Sequence, residues 1–357
     1  MVVGPDGKLP LPWLESALAA ALSRHQGHAL LVQGSADIGA LAFAFVLAQT
    51  WLCETAPVAP QTLRLRPCGH CGSCHQVQAK AHPDLLLLLT EEARQQSGWW
   101  LPLDKAISTS SSSADDDKPR KKASRQIRID EVRLCNEWAA KTSSRGRAKV
   151  VVLHPADLLN VQAANALLKT LEEPSPDVRF VLTTGDADGL LPTVRSRCQM
   201  LRLPTPDQAS ALAWLGEQGV KDAAVLLTAA GGRPLLALSY HTSGIDAAAW
   251  TALPAAVARG DARVFAGWPL TRALDALLRL CHDLFRHAVG GAALYFPQHV
   301  IAPMVAPAIA LEPWRISLLR ASRHDGHAWN EGLLLESLCA QGALAMNVDT
   351  TTAAVRR

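Results

Sequence analysis

The stretch from Lys149 to Cys198 most constrains the fold of this chain. It contains two apolar runs, Val150–Leu153 and Val178–Thr183, in which Val, Leu and Phe hardly alternate with polar residues. Such runs are typical of strands that are buried on both faces of a parallel sheet. Between them, apolar residues recur at helical spacing until Glu172-Glu173-Pro174 ends the segment. The stretch therefore predicts a strand–helix–strand unit, which by itself fits any α/β domain.

Length and composition set wider limits. At 357 residues the chain is too long for one ordinary domain, so two or three are expected. Hydrophobic residues make up 49%, which excludes global disorder, and the net charge of +3 gives weak support to nucleic-acid binding. The N-terminus lacks a signal-peptide pattern, and the longest mostly apolar window, Ala40–Leu52, is too short to span a membrane. We expect a cytoplasmic protein whose eight cysteines are thiols or metal ligands.

A loop bounded by two glycines follows the first predicted strand, His28–Gln33. Gly34 and Gly39 keep the spacing of a phosphate-binding P-loop between a strand and a helix. A working P-loop continues with Lys and then Ser or Thr, whereas this chain has Ala40 and Leu41. The loop therefore offers no charge to the phosphates and no hydroxyl to Mg²⁺. It is predicted to be a degenerate P-loop.

Asp37 adds a carboxylate to the same loop, beside the position that phosphates would occupy. Like charges about 4 Å apart repel by about 1 kcal/mol in water and about 4 kcal/mol at a partly buried surface. One attraction is lost and one repulsion is added, so we do not expect ATP to bind tightly.

A cluster of cysteines predicts a metal site. Its members are Cys53, Cys68, Cys71 and Cys74. The last three form two interlocked C-x-x-C spacings, whose glycines relieve the tight turns. Cys53 is expected to complete a closed tetrahedron around a structural Zn²⁺, with His70 or His75 as the alternative fourth ligand. Reduced cysteines that merely pack in the core are the less favoured alternative.

The composition changes from about Glu91 to Arg125. This segment contains a serine run, Ser108–Ser113, then three aspartates, then the basic tract Lys118–Lys122. It cannot bury enough apolar surface to become ordered, so we predict a disordered insertion over about 91–125. Contact of the basic tract with DNA phosphates is a weaker alternative.

The remainder of the chain is predicted to be helical. Pro204-Thr205-Pro206 ends the first domain, and an Ala- and Leu-rich helical region follows to about Tyr240. Two apolar stripes at helical spacing come next. Their residues are Leu274, Leu277, Leu278, Cys281, Leu284 and Phe285, and then Leu333, Leu334, Leu338 and Cys339 within Asn330–Ala345. Pro297–Pro313 is predicted to be an irregular connection.

Two literal strings are more specific than these patterns. Residues 165–174 read NALLKTLEEP, and Ser196-Arg197-Cys198 follows. Both resemble the bacterial clamp-loader subunits of DNA polymerase III, an AAA+ family with tau/gamma and delta-prime members. The resemblance covers residues 11–240 well and the rest only by helical layout. It implies an AAA+ (RecA-like) α/β domain with an inserted zinc module (53–74), a small helical lid domain and a C-terminal helical collar domain. The expected ranges are 1–204, 205–250 and 255–357.

The resemblance also implies that two further ATP-site features are lost. In active relatives the strand that ends at His154-Pro155 ends in Asp-Glu, which organises Mg²⁺ and the attacking water. Imidazole is a poor ligand for a hard cation, and proline offers no side-chain donor or acceptor. Asp157 is expected to be a surface or N-cap carboxylate. Leu235 stands where active relatives carry a sensor-2 arginine, and Arg233 should face another way on the helix.

These losses favour the catalytically silent delta-prime branch, the stator of the complex. The resemblance then implies tau/gamma and delta subunits as partners, with the sliding clamp and primer-template DNA reached through the complex and no membrane contact. It also implies that Arg197, with Ser196 and Cys198 of its motif, acts as an arginine finger in a neighbour's ATP site. A local salt bridge is the alternative role for Arg197. The rival functions are a tau/gamma-like ATPase with an unusual site and a zinc-dependent nucleic-acid-binding module.

Overall fold

The computed structural model describes residues 1–24, 27–55, 66–99, 126–323 and 330–347. It divides into two compact units, Met1–Thr205 and Pro206–Arg357. The division falls inside the Pro-Thr-Pro segment at which the sequence predicts the end of the first domain. Each unit has its own hydrophobic core and is described separately.

The first unit is built on a five-stranded parallel sheet. Its strands are β1 (Ala29–Gln33), β2 (Leu85–Leu89), β3 (Lys149–His154), β4 (Val178–Thr184) and β5 (Gln199–Arg202). Their spatial order is β2-β3-β4-β1-β5, and every neighbouring pair is parallel. β2 is buried along its whole length and β3 along all but its last residue, which explains their unbroken apolar sequences. The strands predicted from the apolar runs are confirmed to within one residue at each end.

Helices cover both faces of this sheet. They are α1 (Glu15–Arg24), α2 (Ala40–Leu52), α3 (Gly72–Gln78), α4 (Glu91–Ser97), α5 (Ile129–Ala139), α6 (Val161–Glu172) and α7 (Pro192–Arg195). α2 is buried almost all round, as its uniformly apolar sequence requires. α6 is amphipathic: Asn160 caps its first turn, and Leu167 and Leu171 face the core. The predicted strand–helix–strand unit is therefore β3, α6 and β4.

The carboxyl ends of β1, β3 and β4 meet at one edge of the sheet. The Gly34 amide, just after β1, donates to the carbonyl of Thr184 at the end of β4 over 2.9 Å. In the ladder between β3 and β4, Leu153 stands opposite Leu182. The P-loop segment and His154 therefore lie along the same edge, where open parallel sheets place their ligands.

The predicted disordered insertion is wrong at its start. Glu91–Ser97 forms the helix α4, and the Thr90 hydroxyl accepts a hydrogen bond from the Ala93 amide over 3.2 Å at its N-terminus. The buried Trp99 ring stacks on Phe45 with centroids 5.1 Å apart. A capped turn and an aromatic anchor order this part, although its average composition is polar. The Ser-, Asp- and Lys-rich residues 100–125 lie outside the described residues.

The second unit is helical throughout its described residues. Its helices are α8 (Gln208–Glu217), α9 (Ala223–Ala229), α10 (Pro234–Thr242), α11 (Ala247–Ala258), α12 (Leu270–Ala288), α13 (Gln298–Ile301), α14 (Ala308–Arg323) and α15 (Glu331–Met346). α14 packs between α12 and α15. Leu274, Leu277 and Cys281 of α12 are buried, as its stripe predicts. In α15, Leu338 and Cys339 are buried, whereas Leu333 of the same stripe is exposed.

Pro297–Pro313 is not an irregular connection. It contains α13 and the beginning of α14. Pro297 is the N-cap of α13, and Pro307 directly precedes α14. Proline is compatible with a helix start because the amide hydrogens there have no partner inside the helix. Two of the four prolines in this segment therefore stand at helix starts, while Pro313 lies inside α14.

No single helix among the described residues is both long and apolar enough to cross a membrane. One pair of short helices, α9 and α10, passes the same test together by length and composition, but the pair is bent by 112°.

The ion pair between Arg94 of α4 and Glu131 of α5 yields a stability prediction. Only 11% and 10% of the two side chains are exposed, and Glu131 also accepts the Arg128 amide over 3.1 Å. Glu131→Gln removes the largely buried negative charge from this ion pair, so we expect the free energy of unfolding to fall by about 3 kcal/mol. Urea denaturation measures the difference. Glu137→Gln, on an exposed position of the same helix, is the matched control, and equal stabilities of the two variants would contradict the prediction.

Candidate metal centre and degenerate nucleotide site

Four cysteine sulfurs converge beside the end of α2. Cys53 follows the last residue of that helix, Cys71 is the N-cap of α3, and Cys74 lies in the first turn of α3. The Sγ atoms of Cys53 and Cys71 are 3.9 Å apart, those of Cys68 and Cys74 are also 3.9 Å apart, and all four lie within 4.8 Å of one another. Metal–sulfur bonds of about 2.3 Å in a tetrahedron place the sulfurs about 3.8 Å apart. The four thiols can therefore hold one metal ion.

Backbone amides already point at these sulfurs. The amides of Cys71 and Cys74 donate to the sulfurs of Cys68 and Cys71 over 3.3 and 3.4 Å. The Cys68 amide donates to the sulfur of Cys53 over 3.4 Å. Donors directed at sulfur favour the thiolate, which is the form that binds metal. The turn is thus folded around the negative charge that a metal ion would neutralise.

The two histidines considered as alternative ligands are not members of this cluster. The His70 ring is exposed, and its Nδ1 lies 2.9 Å from the carbonyl oxygen of Cys68. His75 is exposed on α3. Among the described residues, the geometry brings Cys53 into the fourth position, across a gap in sequence that the C-x-x-C spacing alone does not bridge.

The carboxylate of Glu54 links the chain at Cys53 to the chain at Cys74. The carboxylate of Glu54, next to Cys53, accepts hydrogen bonds from the amide and hydroxyl of Ser73 over 3.2 and 2.9 Å. It also forms an ion pair with Arg145. The Ser73 hydroxyl is the main cause that lowers the pKa of Glu54. Because Glu54 follows Cys53 and Ser73 precedes Cys74, this contact holds the C-terminal end of α2 against the first turn of α3.

The cluster predicts that metal content depends on each thiol. Cys71→Ser removes one of the four sulfurs, while its hydroxyl can still accept from the Cys74 amide, so we expect bound metal and thermal stability to fall together through the lost metal ligand. Elemental analysis of the purified protein measures the metal, and a melting curve measures the stability. His75→Gln is the control, because it alters a nearby exposed side chain outside the cluster. Full metal retention in Cys71→Ser would contradict this assignment.

The glycine-bounded loop after β1 is closed by its own hydrogen bonds. Residues Ala36–Ile38 form a short 3-10 turn. The Asp37 amide donates to the Ser35 hydroxyl over 3.1 Å, and the Ile38 amide donates to the Ser35 carbonyl over 3.2 Å. The Gly39 amide donates to the first carbonyl of the turn over 3.0 Å. In a working P-loop such amides cradle phosphates, whereas here they are used within the loop.

The N-terminal segment packs against the same loop. Gly39 has a φ of 98°, and a Cβ placed on it would lie 2.3 Å from Cδ1 of the fully buried Leu11. The Trp13 indole donates to the Ile38 carbonyl over 2.9 Å. The glycine is therefore required by backbone conformation and by close packing, without reference to a nucleotide.

The residues at the end of β3 form a hydrogen-bonded structural group. His154 Nδ1 lies 2.6 Å from the Thr183 hydroxyl, and burial lowers the pKa of His154 to about 4. Asp157 accepts a hydrogen bond from the Thr184 hydroxyl over 2.6 Å. It caps no helix, because Asn160 fills that position for α6, so the N-cap prediction for Asp157 is wrong. Both side chains are engaged by β4 rather than arranged around a metal ion.

In the second unit, the glycine turn before α10 holds Arg233 locally. Gly231 and Gly232 both have positive φ, at 63° and 77°. The Arg233 side chain donates through Nε to the Ala230 carbonyl over 2.9 Å. Leu235 follows within the first turn of α10 and offers no charged group.

Arg197 forms an ion pair within its own unit. Its Nε lies 2.7 Å from Oε1 of Glu172, and its Nη2 contacts the same oxygen. Nη1 donates to the Thr193 carbonyl over 2.8 Å and lies 3.4 Å from the Ser196 hydroxyl. Burial raises the pKa of the adjacent Cys198 thiol to about 12, which makes it an inert packing group. The local salt bridge that was weighed for Arg197 is therefore present, with a partner that the motif did not identify.

The sheet order, with a closed P-loop at its carboxyl edge, defines the class: an AAA+ module with a degenerate nucleotide loop. A family model described as "DNA polymerase III, delta subunit" matches residues 14–207. The chain belongs to this family, as its two motifs suggested.

Curated relatives agree with this assignment. DNA polymerase III subunit delta' of Pseudomonas aeruginosa is 34% identical over 239 residues, which cover 66% of this chain and 62% of the relative. The Haemophilus influenzae subunit delta' is 34% identical over 61% of this chain and 56% of its own length. The Escherichia coli subunit delta' is 29% identical over 75% and 76%. The match thus spans less than two thirds of the first two relatives.

The closed loop predicts that its missing residues alone do not restore catalysis. Ala40→Lys with Leu41→Thr returns the charge and the hydroxyl. We expect no Mg²⁺-dependent ATP hydrolysis, because three of the loop amides are bonded within the loop and the end of β3 still lacks a metal-binding carboxylate. Phosphate release by the purified variant measures this, with the parent chain as the baseline. Steady turnover above that baseline would contradict our interpretation of His154 and Pro155.

Proposed function

We propose that this chain is the delta-prime subunit, the stator, of a DNA polymerase III clamp loader. In that role it hydrolyses no ATP itself and supplies Arg197 to the ATP site of a neighbouring tau/gamma subunit. The observation that carries the proposal is the self-bonded P-loop in a chain of this family, because a subunit that does not bind ATP tightly there can still act on a neighbour's site. The curated relatives bear the same subunit name.

The proposed partners are the tau/gamma and delta subunits, with the sliding clamp and primer-template DNA engaged through the assembled complex. The second unit supports a role in assembly as a helical collar. Ile309 and Ile316 lie seven residues apart on α14, so they share a face of that helix, and Ile309 is 83% exposed. Leu344 on α15 is 72% exposed. We propose that these exposed aliphatic side chains lie in a contact surface between subunits.

The metal of the cysteine cluster is proposed to be Zn²⁺ in a structural role. Four thiolates match the preference of zinc for sulfur, and a closed set of four protein ligands leaves no position for a reactive water. The ion would hold the segment after α2 against α3. Its proposed contribution is to the fold of the first unit and not to chemistry.

The proposed action of Arg197 predicts a defect in the partner's chemistry. A guanidinium that reaches the phosphates of a neighbouring site can be worth about 10³–10⁵ in rate. Arg197→Ala should therefore nearly abolish hydrolysis at that one site and lower the clamp- and DNA-stimulated ATPase activity of the whole complex. Lysine at this position should rescue poorly, because a point charge does not reproduce the planar fork of arginine. Steady-state ATPase and clamp-loading assays on reconstituted complexes measure both effects.

Arg195→Ala is the matched control for this experiment. Arg195 lies two residues earlier in the same segment, and its ion pair with Asp188 is exposed. Its loss should change the partner's turnover little, because exposed ion pairs contribute little. Size-exclusion chromatography must show that every complex is fully assembled. Undiminished activity with Arg197→Ala in such a complex would refute the trans-acting role.

A further inference from the structure

We propose that Glu172 is a positioning residue for Arg197, which holds the guanidinium in the free subunit and releases it to the neighbouring phosphate on assembly. The inference rests on the proposed function of Arg197 and adds a second residue to it. It starts from the contact between the last residue of α6 and the guanidinium that follows α7.

The hydrogen bonds of Arg197 leave no complete edge for a phosphate. A guanidinium carries five N–H donors, and bidentate recognition of a phosphate needs two adjacent ones. Nε and Nη2 both contact Oε1 of Glu172, which occupies one edge. Nη1 donates to the Thr193 carbonyl and approaches the Ser196 hydroxyl, which occupies most of the other. Arg197 must therefore exchange partners before it can bind a phosphate with two donors.

Charge identifies Glu172 as the partner that has to yield. A phosphate bound to this guanidinium would lie close to the Glu172 carboxylate, and the two negative charges would repel each other. The Thr193 carbonyl is neutral and part of the α7 backbone, so it can keep its hydrogen bond throughout. α7 itself is fixed by the buried Val194. The guanidinium can thus turn from Glu172 while one donor remains anchored.

The position of Glu172 at the end of α6 weakens its ion pair with Arg197. Glu172 is the last residue of α6, where the partial negative charge of the helix end disfavours a carboxylate. The Glu172 side chain is 48% exposed and that of Arg197 30%, so water competes for both. Exposed pairs of this kind shift an equilibrium only by a few-fold. The contact is strong enough to orient the arginine and weak enough to be exchanged.

The test is Glu172→Gln, which removes the charge and keeps the size of the side chain. In a fully assembled complex with its ATPase partner, we expect the partner's turnover to rise about two- to fivefold, because the engaged state gains by the loss of the competing ion pair. Glu173→Gln is the matched control: it makes the same charge change at the next residue, which is exposed and lies beyond the end of the helix. That control should leave the turnover unchanged.

Testing Glu172→Gln in a chain that also carries Arg197→Ala separates this inference from the proposed function of Arg197. If Glu172 acts through Arg197, Glu172→Gln should change nothing in a chain that already carries Arg197→Ala. An effect of equal size in both backgrounds would overturn the positioning role. Unchanged or reduced turnover with Glu172→Gln, where Arg197→Ala alone is defective, would also overturn it and leave the trans-acting arginine intact. If Arg197→Ala has no effect, both proposals fail.

Discussion

The parallel pairing of β1 with β4 and β5 determines where the P-loop segment lies at the carboxyl ends of the strands. The register continues one residue beyond the strand, because the Gly34 amide bonds to Thr184 and the Leu203 amide bonds to Gln33. These bonds fix the point at which the chain leaves the sheet and enters the P-loop segment. A strand shifted by one residue would turn every buried side chain of β1 to the opposite face. The pairing of β1 with β4 and of β4 with β3 therefore places the P-loop segment and the end of β3 side by side.

Polar groups of the P-loop segment and of the end of β3 are paired within the fold. The loop amides bond to Ser35 and to the first carbonyl of their own turn, and Gly39 packs against Leu11. At the end of β3, His154 and Asp157 bond to threonines of β4. Buried polar groups need partners whether or not a ligand is present. The internal hydrogen bonds of this loop and of the end of β3 therefore belong to the fold of the first unit.

Local sequence patterns predicted the sheet well and the cross-chain contacts poorly. Unbroken apolar runs placed β3 and β4 because a strand buried on both faces needs no polar alternation. α4 was missed because two contacts that hold this part join distant positions: Arg94 pairs with Glu131, 37 positions later, and Trp99 stacks on Phe45. The partner of Arg197 was missed likewise, since Glu172 lies 25 positions before it. For the cysteines, spacing identified three ligands, and only the fold brings Cys53 to them.

The helix α2 begins at the P-loop turn and ends at the first residue of the cysteine cluster. With 13 residues it is a rod about 20 Å long. Gly39 and Leu11 seat one end, while Cys53 and Glu54 bind the other to α3. Such a rod cannot slide along its axis unless one end yields. The P-loop turn and the cysteine cluster therefore hold the two ends of the same helix.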